Sequence, residues 1–71
     1  MKSYLCKTFW KEWDEFLETH VNETKTRIIC AKSKSEAEDN FIQHLIDRFE
    51  KKENPWKAIF AENLTVKQIK P

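Results

Sequence analysis

Apolar side chains recur at helical spacing in two stretches of the chain. Within Ser35–Lys52, Phe41, Ile42, Leu45, Ile46 and Phe49 fall at i, i+1, i+4, i+5 and i+8, which a helix gathers into one stripe. Ser35 followed by Glu38 fits a capping box, and Glu36, Glu38 and Asp39 suit the positive end of the helix dipole. Arg48, Lys51 and Lys52 suit the negative end, and Pro55 is placed to stop the helix. Within Ser3–His20, Leu5, Cys6, Phe9, Trp10, Trp13, Phe16 and Leu17 fall inside an arc of about 140° at 100° per residue, with Lys7, Lys11, Glu12, Asp14, Glu15 and Glu18 outside it. That spacing predicts a first helix. A competing reading makes Lys2–Thr8 a short strand and starts the helix at a Thr8 cap, because Tyr4 and Thr8 favour strands.

Between these stretches the pattern changes. In Val21–Lys34, Thr26, Ile28 and Cys30 alternate with Lys25, Arg27 and Ile29, and β-branched residues dominate, which predicts a strand. After the second helix, Asn54-Pro55 can cap a short helix with Trp56, Ile59 and Phe60 at i, i+3 and i+4; the alternative is a strand over Trp56–Phe60. Leu64–Lys70 predicts a closing strand, with Leu64 and Val66 on one face and Thr65, Lys67 and Ile69 on the other, and its lysines and Pro71 suit a sheet edge. The predicted fold is one small α+β domain over residues 1–71, a single-layer sheet of two or three strands packed against two main helices in the order α-β-α-(α)-β. Were the two strands parallel neighbours, Thr24–Lys70 would form a right-handed β-α-β unit. A two-stranded sheet is marginal, so either dimerisation extends it or a further strand lies near the N-terminus.

Composition narrows the function classes. A chain of 71 residues buries only about 60% of the surface its unfolded form exposes, so a partner would add usefully to its stability. The sequence has no glycine, which excludes glycine-rich phosphate loops and nucleophile elbows. Thirteen basic and twelve acidic residues leave a net charge of +1, so no global field steers the chain to nucleic acid or membrane. Only Arg27 and Arg48 are arginines, which disfavours bidentate recognition of bases or phosphates. No apolar run reaches membrane-spanning length and no signal-peptide core follows Met1, so the expected compartment is the cytoplasm, with Cys6 and Cys30 as reduced, mostly buried thiols. Heavy use of Lys, Ile, Asn and Glu suits an AT-rich genome such as that of a low-GC bacterium or its phages.

The residue types that most often carry chemistry are few: Cys6, His20, Cys30 and His44. Their spacing provides no close ligand pair of the kind that nucleates a zinc site, and no glycine-bearing turn presents a nucleophile. No catalytic, cofactor-binding or metal-binding residue is therefore expected, and no cofactor. Local charge is more informative, with a net +3 over residues 21–34 and −3 over residues 35–53. Lys25, Arg27, Lys32 and Lys34 are the candidates for a nucleic-acid contact, although Glu36, Glu38 and Asp39 crowd the same end of the following helix. Aromatic side chains in excess of what a small sheet can cover point instead to a protein partner, with Trp10, Trp13 and Trp56 as candidate anchors. The leading expectation is a non-enzymatic protein-binding module, an adaptor, inhibitor or regulatory subunit compatible with a phage or mobile element. A second copy is one candidate partner and nucleic acid the runner-up.

Overall fold

A computed structural model of the chain describes residues 1–52 and 55–69. The N-terminal stretch forms no helix. Residues Lys2–Asp14 are strand β1, and Thr19–Ala31 are strand β2, antiparallel to it and in register from Lys2↔Ala31 to Asp14↔Thr19. The predicted helix over Ser3–His20 is thus replaced by the first arm and tip of a long hairpin, whereas the strand expected within Val21–Lys34 does form, as the hairpin's second arm. β1 holds the further strand that the shortage of strands called for.

The cause lies in the side chains that face the helices. Tyr4, Cys6, Thr8 and Trp10 are all buried, whereas the intervening Leu5, Lys7, Phe9 and Lys11 are exposed. This period of two buries aromatic and β-branched side chains on one face of the pleat, the environment in which such residues favour strand over helix.

Helix α1 runs Lys34–Phe49 and buries Ala37, Phe41, Ile42 and Leu45 against that face, with Ile46 and Phe49 partly buried beside them. Its cap is Ser33, whose hydroxyl accepts the Glu36 N–H at 3.2 Å, so the helix starts ahead of the expected Ser35–Glu38 box. Pro55 is not what ends it. Glu50 turns left-handed at φ 55°, and the N–H groups of Glu50 and Lys51 return to the Ile46 carbonyl.

Helix α2, Trp56–Glu62, settles the ambiguity of that stretch in favour of helix and buries Phe60; the expected Asn54 cap lies outside the described residues. Strand β3, Thr65–Ile69, pairs antiparallel with β1 from Ser3↔Ile69 to Lys7↔Thr65, and the predicted Lys70 end is also outside the described residues. The sheet order is β2-β1-β3, so β3 is the expected edge strand, but β1 lies between β2 and β3 and the parallel β-α-β unit does not form. The architecture is α+β, a three-stranded antiparallel sheet with two helices in the chain order β-β-α-α-β.

The core gathers where β1 meets both helices. Trp10 sets its ring edge-on to Phe60 at 4.9 Å and to Phe49 at 5.7 Å, and its indole N–H donates to Glu12 Oε1 at 3.0 Å. Glu12 also faces Lys51 Nζ at 3.6 Å, and Lys51 in turn sits 4.5 Å from the centre of the Trp56 ring. Thr8, fully buried, donates its hydroxyl to the Phe60 carbonyl at 2.6 Å and so ties α2 to the central strand.

Candidate functional site

Both helices lie on one side of the sheet, and the register fixes what the other side carries. Successive cross-strand rows on the uncovered face are Cys30, Ser3 and Ile69; Ile28, Leu5 and Lys67; and Thr26, Lys7 and Thr65. Beyond the start of β3 the face narrows to the hairpin alone, with Thr24 beside Phe9, Asn22 beside Lys11 and His20 beside Trp13. Leu5, Phe9, Trp13 and Ile28 are exposed there, at 39%, 47%, 56% and 60%. The one aromatic neighbour of Trp13 among the described residues is His20, T-shaped to it at 5.3 Å between centroids.

The hairpin ends in a four-residue turn, Glu15–Glu18, closed by the Asp14↔Thr19 pair. With no glycine available, Glu18 takes the left-handed conformation at φ 51°, and the Asp14 carboxylate accepts the Leu17 N–H at 3.0 Å. The turn holds Phe16 at 99% exposure and Leu17 at 66%, between the acids Asp14, Glu15 and Glu18. A 13-residue strand is about 40 Å long, whereas a 16-residue helix spans about 24 Å. The turn therefore projects past the helical layer, consistent with the 43 Å long axis of the molecule.

The candidates read from the sequence are dispersed by this geometry. Trp10 is buried at 3% exposure and belongs to the core, because its strand parity turns it toward the helices, so it is corrected as a partner contact. Trp56 is half-buried against Phe60 at 5.6 Å and beneath Lys51. Trp13 alone of the three is exposed. Lys25 and Arg27 project from β2 to the helix side, where Lys25 Nζ lies 5.3 Å from the Phe49 ring centre, while Lys32 and Lys34 are exposed at the β2–α1 junction. The four cations expected to share a nucleic-acid contact therefore do not form one patch with the exposed aromatic rings.

Nor does the fold bring Cys6, His20, Cys30 and His44 together. Cys6 is in the core, its thiol pushed up in pKa by burial and then by the Glu38 charge, which keeps it protonated and packed. Cys30 is exposed on the other face of the sheet, its Sγ 3.7 Å from Ser3 Oγ, which corrects the expectation that both thiols are buried. His20 lies beside the tip, about 33 Å along β2 from Cys30. His44 stands on α1 in a shallow groove with Lys25, Arg27 and Arg48, its pKa lowered by burial and then by the two guanidinium groups, with Asp47 opposing.

Sequence reasoning placed Lys7, Lys11 and Lys67 on solvated positions but named none of Lys7, Phe9, Lys11, Phe16, Leu17 and Lys67 among its candidate contact residues. The signal that would have found Lys7, Phe9 and Lys11 is the alternation Leu5, Lys7, Phe9, Lys11, Trp13, which is a strand pattern with an apolar–cationic face. No protein-family model matches the chain, and neither a curated protein nor a solved structure proved similar to it.

Proposed function

We propose that this chain is a small binding module with no chemistry of its own, which docks on another protein through the tip of its hairpin as an adaptor, inhibitor or regulatory subunit. One observation carries the reading. Met1 aside, every large apolar side chain that stays exposed among the described residues belongs to the hairpin, and the two most exposed, Phe16 and Leu17, stand at its projecting end. Sealing a phenylalanine or leucine side chain in a partner's pocket is worth about 1.5–3 kcal/mol, and their turn is already fixed by the Asp14 hydrogen bond, so little ordering opposes docking. Asp14, Glu15 and Glu18 around them define the complement, an apolar pocket rimmed by Lys or Arg on the partner. The same acids repel a second tip, a phosphate backbone or an anionic membrane.

The test is a photo-crosslinking side chain at Leu17 in cells that produce the protein. A discrete protein adduct is expected, lost when Phe16→Ser is added while the circular dichroism spectrum stays unchanged. No adduct, or an adduct indifferent to Phe16→Ser, would remove the reading. An adduct of twice the chain's mass would replace the partner protein with a second copy.

A further inference from the structure

The uncovered face of the sheet differs from the tip in the sign of its charge. Along β1 it reads Leu5, Lys7, Phe9, Lys11 and Trp13, and Lys67 of β3 stands beside Leu5. The other polar groups on the strands of this face are chiefly hydroxyls, with one amide, one thiol and the His20 imidazole, and none of the described residues there is Asp or Glu. The acids of the two long strands, Glu12, Asp14 and Glu23, have the parity of the helix-covered face. Three lysines give this face +3 when the whole chain carries +1, which leaves −2 for everything else.

An uncovered apolar face does not by itself name its occupant, but this charge pattern does. A second copy seated face to face would set Lys7, Lys11 and Lys67 against their own counterparts with no carboxylate between them, a like-charge contact that disfavours that dimer. An anionic occupant meets the opposite situation. Phe9 and Trp13 lie about 14 Å apart along one strand, with Lys11 between them and Lys7 beyond, so flat rings alternate with ammonium groups at about 7 Å steps. A single nucleic-acid strand has the matching repeat, a base and a phosphate. Bases unstacked from one another can lie on the two rings, while lysines, acting as point charges, neutralise phosphates without reading base edges. The bases of a duplex are stacked on one another and offer these rings no free face.

We infer that the open face of the sheet binds single-stranded nucleic acid, with bases stacked on Phe9 and Trp13 and phosphates held by Lys7, Lys11 and Lys67. The site is distinct from the protein-docking tip and does not depend on it. The absence of arginine from the face makes it tolerant of sequence.

The experiment is a fluorescence-anisotropy titration of the intact chain with labelled 15-mers of dT and of U, and with a duplex of the same length, from about 50 mM salt upward. Binding to either single strand, stronger than to the duplex, is expected, with log affinity falling against log salt at a slope of about −2 for three phosphates. The dT and U arms assign the binding to DNA, to RNA or to both. Phe9→Ala and Trp13→Ala should each weaken binding about fivefold to a hundredfold and leave the slope unchanged. Lys7→Gln with Lys11→Gln should flatten the slope to about −0.7. Lys25→Gln with Arg27→Gln, on the helix side, and Phe16→Ser, at the tip, should change neither, and the last separates this site from the docking one. No binding to either single strand would overturn the inference, as would an affinity indifferent to the two rings. Displacement by polyglutamate as readily as by unlabelled oligonucleotide would overturn it in favour of an acidic protein.

Discussion

Trp10 and Trp13 stand three residues apart in one strand and have opposite environments. Trp10 is 3% exposed, wedged edge-on between Phe49 and Phe60, with its N–H satisfied by Glu12. Trp13 is 56% exposed, with the edge of His20 as its one aromatic neighbour among the described residues. Chemistry does not distinguish them; strand parity does. From Tyr4 onward, even-numbered residues of β1 turn toward the helices and build the fold, and odd-numbered residues face the uncovered side of the sheet.

The largest test of that division is to truncate each indole. Trp10→Ala should cost about 3–5 kcal/mol, the cost of emptying a well-packed aromatic site. A domain of 71 residues has a total stability of roughly 4–10 kcal/mol, so this variant should be largely or wholly unfolded at 37 °C. Trp13→Ala should shift the urea midpoint by less than the equivalent of about 1 kcal/mol. Equal losses from the two variants, measured by circular dichroism in urea, would break the comparison.

Thr8→Val probes the same covered face by a different route. The change keeps shape and removes the hydroxyl that the Phe60 carbonyl accepts at 2.6 Å, leaving that carbonyl buried and unpaired. The expected loss is about 1–3 kcal/mol. Thr24 and Thr26, which line the open face, should tolerate the same substitution within about 0.5 kcal/mol.

These contrasts also show what was legible beforehand. Apolar residues at 5, 9 and 13 are four apart, and so are those at 6 and 10. A spacing of four returns to nearly the same face of a helix and to the same face of a strand, so the list satisfies both periods. The positions that separate the two readings are Thr8, buried among apolar neighbours, and Lys7 and Lys11, each flanked by exposed apolar residues on its own face. The hairpin also lacked punctuation, because its turn over Glu15–Glu18 uses a left-handed glutamate in place of the glycine or asparagine that marks a tight turn. By contrast, α1 and the facing of β3 were readable because the helix periodicity and the strand alternation had one solution each, whereas the short Trp56–Phe60 stretch fitted helix or strand until the structure showed α2. Of the aromatic candidates, reading β1 as a helix put Trp10 and Trp13 on one apolar arc, and strand parity sends only Trp13 to the exposed side.

The left-handed residues give a smaller test, one in each region. Glu50 ends α1 on the covered side and Glu18 shapes the exposed tip, at φ 55° and 51°. A left-handed residue bearing a Cβ costs about 1–2 kcal/mol, offset in part by the larger unfolded-state entropy of glycine. Glu50→Gly and Glu18→Gly should therefore each stabilise the fold by about 0.5–1 kcal/mol in urea titrations. Only Glu18→Gly should alter crosslinking from Leu17, because it alone changes the charge of the tip.

The finest test of the two sides is electrostatic and centres on His44. Burial and the charges of Arg27 and Arg48 hold its pKa below the ordinary 6.5, against the pull of Asp47. The unfolded chain therefore takes up a proton near pH 6.5 that the folded chain resists, so stability is fully present above about pH 6.5. It is lost as pH falls from there through the lowered folded value, over which the unfolded state binds more protons. His44→Gln should remove that acid-side slope. Arg27→Gln should raise the His44 pKa, followed by NMR of its ring protons, because Arg27 projects from β2 to the side on which α1 packs. Lys7→Gln or Lys11→Gln carries the same change of charge on the opposite face of the sheet and should leave the titration where it was. A His44 that responded equally to substitutions on both faces would mean that the sheet does not separate the two charge environments, and the division by strand parity would lose its electrostatic half.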